Sequence, residues 1–225
     1  MRAFVGIAAL LAAAALNAET IDFEAVAPGR LPSGWSSAAT STGWFTAITG
    51  KGAPPQWEVL SDATAPSGAK VLAQVSDDRA SGRFPLAVYG RDLVDGEVRV
   101  KFKPISGSVD QAAGLVWRYQ DENNYYIVRA NALEDNIVLY KVEDGKRASL
   151  APVGRKGDYG VKHTVPANAW STLAVAFTGS RFTVSFDGAK LFEVEDSTFS
   201  GSGKVGVWTK ADSVTYFDDF EVSER

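Results

Sequence analysis

Residues 114–150 (GLVWRYQDENNYYIVRANALEDNIVLYKVEDGKRASL) read as three consecutive β-strands, and no other stretch limits the fold as much. A strand sends alternate side chains to opposite faces. On the first strand Arg118 is thereby separated from Leu115, Trp117 and Tyr119. On the second, Tyr125, Arg129 and Asn131 share one face, and Tyr126, Val128 and Ala130 share the other. On the third, Lys141 lies opposite the face of Val138, Tyr140 and Val142. The pattern predicts a sheet with one apolar face and one face carrying Arg, Tyr, Asn and Lys.

Short alternating segments rich in Val, Phe, Tyr and Thr fill most of the remaining chain. Strands are expected at 20–24, 57–60, 70–75, 83–89, 97–103, 170–177, 181–186, 189–194, 204–210 and 214–222. Residues 25–52 read as loop, with PGRLPSGW and GKGAPP as turn punctuation. Asp144-Gly145 and Asp187-Gly188 are the strongest hairpin signals, because a two-residue turn of this kind needs positive φ at its centre. No long helical period is visible. The expected architecture is all-β: a two-sheet antiparallel jelly-roll sandwich.

The chain has 225 residues, which suits one large domain, and 45% of them are hydrophobic, enough for a substantial core. Acidic residues (27) outnumber basic ones (23), so no positive field for a phosphate backbone exists, and nucleic acid is not an expected partner. Residues 1–18 follow signal-peptide grammar: a short basic start (MR), the apolar run AFVGIAALLAAAAL, and cleavage after Ala18 or, alternatively, after Ala15. Residues 19–225 would then be one exported domain without a transmembrane segment, periplasmic or extracellular. There is no cysteine, which removes thiol nucleophiles, thiolate-bound zinc and disulfides.

The GLVWRYQDENNYYIVRANALEDNIVLYK block, together with WSTLAVAF, FTVSFDGAKLFEVED and GKVGVWTKADSVTYFDDFEV, resembles the concanavalin A-like lectin/glucanase superfamily. Within it, the chain is most similar to laminin-G-like bacterial domains of the 3-keto-disaccharide hydrolase or unknown-function type. The resemblance spans nearly all of the expected mature chain. It implies a concave β-sandwich and a saccharide ligand. It leaves three functions open: a noncatalytic carbohydrate-binding module, a glycoside hydrolase or lyase acting on (3-keto-)disaccharides, and a structural or protein-interaction domain.

The candidate ligand face comprises Arg118, Tyr125, Arg129, Asn131 and Lys141. Sugars stack C–H faces on aromatic rings, and planar Arg or Asn groups bridge neighbouring hydroxyls. The plain alternative is a solvated sheet of cross-strand ion pairs. Trp117 and Trp208 read as core, while Trp35 and Trp44, in the loop-rich stretch, are candidates for an exposed stacking ring. The Glu-x-Asp-x-x-Glu arrangement of retaining enzymes with this sandwich is absent. The nearest carboxylates, Glu193 and Glu195, follow a hairpin and read as solvated. His163 is the only histidine and has no Gly-x-Ser-x-Gly partner, so it reads as a loop residue. IDFE at the start and YFDDFEV at the end resemble the paired terminal strands of jelly-roll modules. That likeness implies a structural calcium on Glu24 and Asp219, with Asp218 as the alternative ligand.

Overall fold

A computed structural model describes residues 18–40, 52–156 and 159–225. Among the described residues sixteen strands carry the fold: β1 (Ala18–Ile21), β2 (Trp35–Ala39), β3 (Trp57–Ser61), β4 (Lys70–Gln74), β5 (Pro85–Leu93), β6 (Gly96–Ser106), β7 (Ala112–Asp121) and β8 (Asn124–Asn131), then β9 (Asn136–Glu143), β10 (Lys146–Ser149), β11 (Val161–Lys162), β12 (Ser171–Thr178), β13 (Arg181–Phe186), β14 (Ala189–Glu195), β15 (Gly203–Trp208) and β16 (Val214–Glu224). They form two eight-stranded sheets. The first has the order β14-β13-β12-β6-β16-β4-β3, with β1 on β16. The second runs β10-β9-β8-β7-β15-β5-β2, with β11 on β9. Every pairing is antiparallel. The molecule is an antiparallel β-sandwich with jelly-roll character, as its alternation predicts. Among the described residues no helix is long and apolar enough to cross a membrane.

The two Asp-Gly dipeptides behave as expected. Asp144 and Gly145 have φ of 50° and 72°, and Asp187 and Gly188 have 47° and 78°, so each closes a two-residue hairpin between paired strands. Three strands escape the sequence pattern: β2 within the loop-rich stretch, and the short β10 and β11. The first strand is also displaced. It spans Ala18–Ile21 rather than 20–24, because Ala18 pairs with Ser223 and the chain turns at Phe23 (φ 61°).

Between the sheets lies an aromatic core. Trp117 stacks on Tyr126 at 5.4 Å and meets Phe182 edge-on at 5.3 Å. Val98, Val100, Leu115, Val128, Val175 and Val207 fill the space around them, all fully buried. Each such side chain contributes on the order of 1.5–3 kcal/mol by leaving water. A second apolar cluster, with Phe84, Tyr125, Ile127, Tyr140 and Trp208, lies on the face of the second sheet turned away from the first. Both faces of that sheet are therefore largely apolar, where alternation alone predicted a polar one.

A β-bulge in β7 reassigns Arg118. Tyr119 lies opposite Lys204 and Val116 opposite Gly206, so Trp117 and Arg118 together oppose Val205. Arg118 has φ of 49°. Gly203 abuts it so closely that a Cβ there would lie 2.5 Å from the Arg118 carbonyl carbon. The bulge turns Arg118 inward beside Trp117, and its guanidinium sits over Phe177 and Phe182 at 5.9 and 5.7 Å. It donates to the carbonyl oxygens of Phe199 (2.7 Å), Gly179 (2.7 Å) and Val94 (3.2 Å), and to Asp95 (3.3 Å). Arg118 is thus a fully buried clamp on three loops and is separated from the Tyr125 face.

Arg118→Met fills much of the same space but strands those three carbonyls. Each buried unsatisfied group costs about 1–3 kcal/mol. Urea unfolding is expected to show a loss of about 3 kcal/mol or more relative to wild type. A loss under about 1 kcal/mol would contradict the clamp.

Candidate functional site

Cross-strand register places the side chains on the outer face of the second sheet in rows. Arg147 pairs with Val142, and Val142 with Tyr125. In the next row Ser149 pairs with Tyr140, Tyr140 with Ile127, Ile127 with Val116, and Val116 with Gly206. Then come Val138, Arg129, Gly114, Trp208 and Leu86. Asn136 and Asn131 close the polar end. Phe84 stacks on Trp208 at 5.8 Å with 16° between the rings.

Two arginines work this aromatic surface. The Arg147 guanidinium lies over Tyr140 at 4.5 Å, Phe84 at 4.9 Å and Trp208 at 5.8 Å. The Arg129 guanidinium lies 5.7 Å from the same Tyr140 ring and 5.7 Å from Tyr159. Arg129 is fully buried and donates to Glu134 (2.8 Å) and Asn136 (2.7 Å). Tyr140 and Tyr159 hydroxyls share a short hydrogen bond, and half of Tyr159 is exposed. Burial pushes the Tyr125 hydroxyl up to about 12, although it hydrogen-bonds Thr40 at 2.8 Å. The Tyr140 hydroxyl is raised by burial despite both arginines. These phenols stay neutral and act as hydrogen-bonding groups.

The polar end holds two carboxylates, each already engaged. Asp110 is buried, accepts from Asn131 at 2.6 Å and forms a short ion pair with Lys210. Burial would raise the Glu134 carboxyl, but hydrogen bonds and charge from Arg129 outweigh that and hold it below the ordinary value.

Tyr125, Arg129 and Asn131 are brought together on this face, all buried within it rather than solvated. Arg118 and Lys141 are not. Lys141 pairs with Tyr126, so it projects toward the inter-sheet side, where it reaches Thr198 (2.7 Å) and Asp196 (3.7 Å). Trp35 is buried between Phe23, Tyr89 and Phe220 and offers no platform. Trp44 lies outside the described residues. His163 packs edge-on against Phe186 at 4.6 Å. Glu193 and Glu195 pair with Arg181, and Glu193 also with Lys190, on the outer side of the first sheet. A cleft of about 300 Å³ on that same outer side is lined by Thr172, Ala174, Ala176, Ser185, Gly188, Glu97 and Arg99. It contains no ring on which a sugar could stack. Sequence reasoning missed Arg147, Phe84 and Tyr159.

No family profile matches the chain, and no curated protein matches it. Solved structures do. A carbohydrate-binding module, CBM66, from Bacillus subtilis is 18% identical, covers 84% of this chain and 94% of its own, and superposes with a TM-score of 0.61. The cellulose-induced protein Cip1 is 14% identical over 91% of this chain and 96% of its own, with a TM-score of 0.57. A Bacillus subtilis protein of unknown function with a galectin-like fold is 16% identical over 74% and 88%, with a TM-score of 0.50. The fold these structures share with the chain is a two-sheet antiparallel β-sandwich. At these identities the likeness extends to the fold alone.

The carboxylates expected to hold calcium near the terminal strands already have partners. Glu24 follows β1, and its Oε1 accepts from the Ala69 and Lys70 amides at 2.9 and 2.6 Å. The Lys70 ammonium donates to the carbonyls of Glu24 (2.6 Å) and Val26 (2.9 Å). Asp219 pairs with Lys101 at 2.7 Å. Asp218 is buried and accepts from the Ser67 amide at 2.9 Å and the Asp219 amide at 2.8 Å. Its carboxyl is raised, first by burial and then by Asp219 nearby. Calcium takes six to eight oxygens. Here N–H groups and the Lys101 ammonium already engage Glu24 Oε1, Asp219 Oδ2 and both Asp218 oxygens, and among the described residues no three carboxylate or imidazole groups gather. The donor set does not fit the ion.

Thermal melts in millimolar calcium and in EDTA are accordingly expected to coincide. Asp219→Ala should shift both equally. A bound ion would raise Tm by mass action. A calcium-dependent rise that Asp219→Ala abolishes would restore the ion to the fold.

Proposed function

We propose that this chain is an exported, noncatalytic carbohydrate-binding module whose ligand lies on the outer face of the second sheet. The carrying observation is the concentration there of Tyr125, Tyr140, Tyr159, Phe84 and Trp208 with Arg129, Arg147, Asn131 and Asn136. Of these, Tyr159 offers a half-exposed stacking ring and the partly exposed Arg147 a directional donor, the two requirements of sugar recognition, while the buried rings hold them in place. The likeness of fold to a carbohydrate-binding module and to a cellulose-induced protein supports the same reading.

The carboxylates at the polar end of this face are poorly set for catalysis. A general acid needs a carboxyl held above its ordinary pKa. Glu134 is held below it, and Asp110 is closed off by Lys210 and Asn131. The hydrolase or lyase activity implied by the 3-keto-disaccharide hydrolase resemblance therefore ranks second. Turnover of a disaccharide or its 3-keto form that vanishes in Glu134→Gln would promote it.

A glycan array followed by calorimetry tests the binding reading. Tyr159→Ala removes a half-exposed ring at small cost to folding. It is expected to weaken any array hit about tenfold, roughly 1.4 kcal/mol, with little change in Tm. An empty array, or unchanged affinity, would favour an interaction domain.

Export rests on the signal-peptide grammar of residues 1–18. Cleavage after Ala18 leaves Glu19 as the first residue, and its carboxylate already binds Tyr89 (2.7 Å) and Arg91 (2.9 Å). N-terminal sequencing of protein secreted from a bacterial host is expected to begin at Glu19. A retained Met1 on the folded product would refute export.

A further inference from the structure

Among the described residues Trp35, Trp57, Trp117 and Trp208 are buried, but Trp170 keeps part of its ring in solvent. It stands directly before β12. Ser171, the next residue, is buried and aligns with Phe102 of the core, so Trp170 falls on the outer face of the first sheet. There the Lys103 ammonium lies 5.4 Å from its ring, and its indole N–H donates to Thr64 Oγ1 at 3.3 Å. Lys103 is held in turn by Asp62 (2.7 Å) and Thr64 (2.6 Å), and lies 5.6 Å from the part-exposed ring of Tyr216. The Trp170 ring is therefore fixed at one edge and on one side, and its remaining surface faces water. Beyond it along β12, Thr172, Ala174 and Ala176 share this face at intervals of about 7 Å. They floor the cleft of about 300 Å³ that Glu97, Arg99, Ser185 and Gly188 also line. A hollow of about 180 Å³ adjoins it across Glu97 and Arg99, with Glu221 and Ser223 on its far side. An open cleft thus begins one alternate position from an open ring.

The surrounding chemistry selects the occupant. The cations here are already compensated: Arg99 pairs with Glu97 (2.7 Å) and Glu221 (3.9 Å), Lys101 with Asp219 (2.7 Å) and Lys103 with Asp62. An anionic ligand would therefore have to break an existing pair. An extended peptide binds by adding a strand to a free sheet edge, and β12 has none, because β6 and β13 pair with its two sides. An apolar ligand would strip water from ion pairs and hydroxyls without replacing its hydrogen bonds. A neutral sugar chain meets the site on its own terms. Its C–H face stacks on the indole, and its hydroxyls reach Thr172, Ser185 and the outward ends of the ion pairs. We propose that the outer face of the first sheet carries a second saccharide site, for a neutral oligosaccharide, with one sugar ring on Trp170 and the chain continuing along β12 over Ala174 and Ala176. This site is separate from the Tyr159 face and does not rest on it.

The test is calorimetry of the intact protein with cellohexaose, laminarihexaose, xylohexaose and mannohexaose. At least one is expected to bind, with an affinity that stays level as salt is raised. Trp170→Ala is expected to weaken that binding about tenfold or more, with Tm little changed, because it removes the stacking surface from an exposed position. Ala176→Phe fills the cleft from its part-exposed floor and should block the same ligand; it decides the point if Trp170→Ala fails to fold. Tyr159→Ala should leave this affinity within twofold. Binding that Tyr159→Ala abolishes and both first-sheet variants spare overturns this site and leaves the second-sheet reading standing. Binding lost in the first-sheet variants and untouched in Tyr159→Ala upholds it, whatever becomes of the other face. No binding of any of the four oligosaccharides overturns it.

Discussion

The Arg118 guanidinium is the interaction on which the rest of the sandwich depends. It touches the inter-sheet core and three loops at once: the β5–β6 turn at Val94, the β12–β13 turn at Gly179, and Phe199 before β15. A charge with no access to water survives only when its donors are met. Four carbonyl and carboxylate oxygens meet them here, over two aromatic rings. The arrangement requires the extra residue in β7 and the bare backbone of Gly203 opposite it. Beyond the bulge, Tyr119 returns to the outer face and contacts the second apolar cluster. One inserted residue therefore sends a cation inward while keeping the sheet's outer face aromatic.

Most of the fold was legible because the side-chain period of a strand is short and its turns have chemical requirements. Asp144-Gly145 and Asp187-Gly188 announced their hairpins through residues that tolerate positive φ. The strand ends at Arg181 and Phe186 coincide with their expected bounds. The displaced first strand and the unforeseen β2 share one cause. Both are short edge elements, held by pairing with β16 and β5 rather than by alternation of their own.

The site was less legible, for three reasons visible in particular residues. Alternation assigns a face only within a regular strand, and the bulge breaks that count at Arg118. Parity on one strand says nothing about its neighbour until register is known. Lys141 aligns with Tyr126, so it belongs to the opposite face from Tyr125. Arg147 was overlooked because its strand has only four residues, although a signal existed. A two-residue turn at Asp144-Gly145 forces Lys146 against Glu143 and hence Arg147 against Val142, beside the Tyr125 row. The expectation of a solvated polar face failed for a different reason. Tyr125 and Arg129 point outward from the sheet yet are closed in by Trp208, Phe84, Tyr140 and one another.

Arg147 is delivered by a hairpin arm that joins the sheet along a single side, at the far margin from β2. Its neighbours Lys146, Ala148 and Ser149 are exposed, and none belongs to either apolar cluster. Chemical variety at these positions is therefore decoupled from the stability of the inter-sheet core. Point changes along β10 could exchange a positive group for a neutral or negative one while the Trp117–Arg118 pair goes on holding the sheets. A lineage carrying this scaffold could alter the charge along this margin by rewriting one short peripheral strand, without renegotiating how the chain folds.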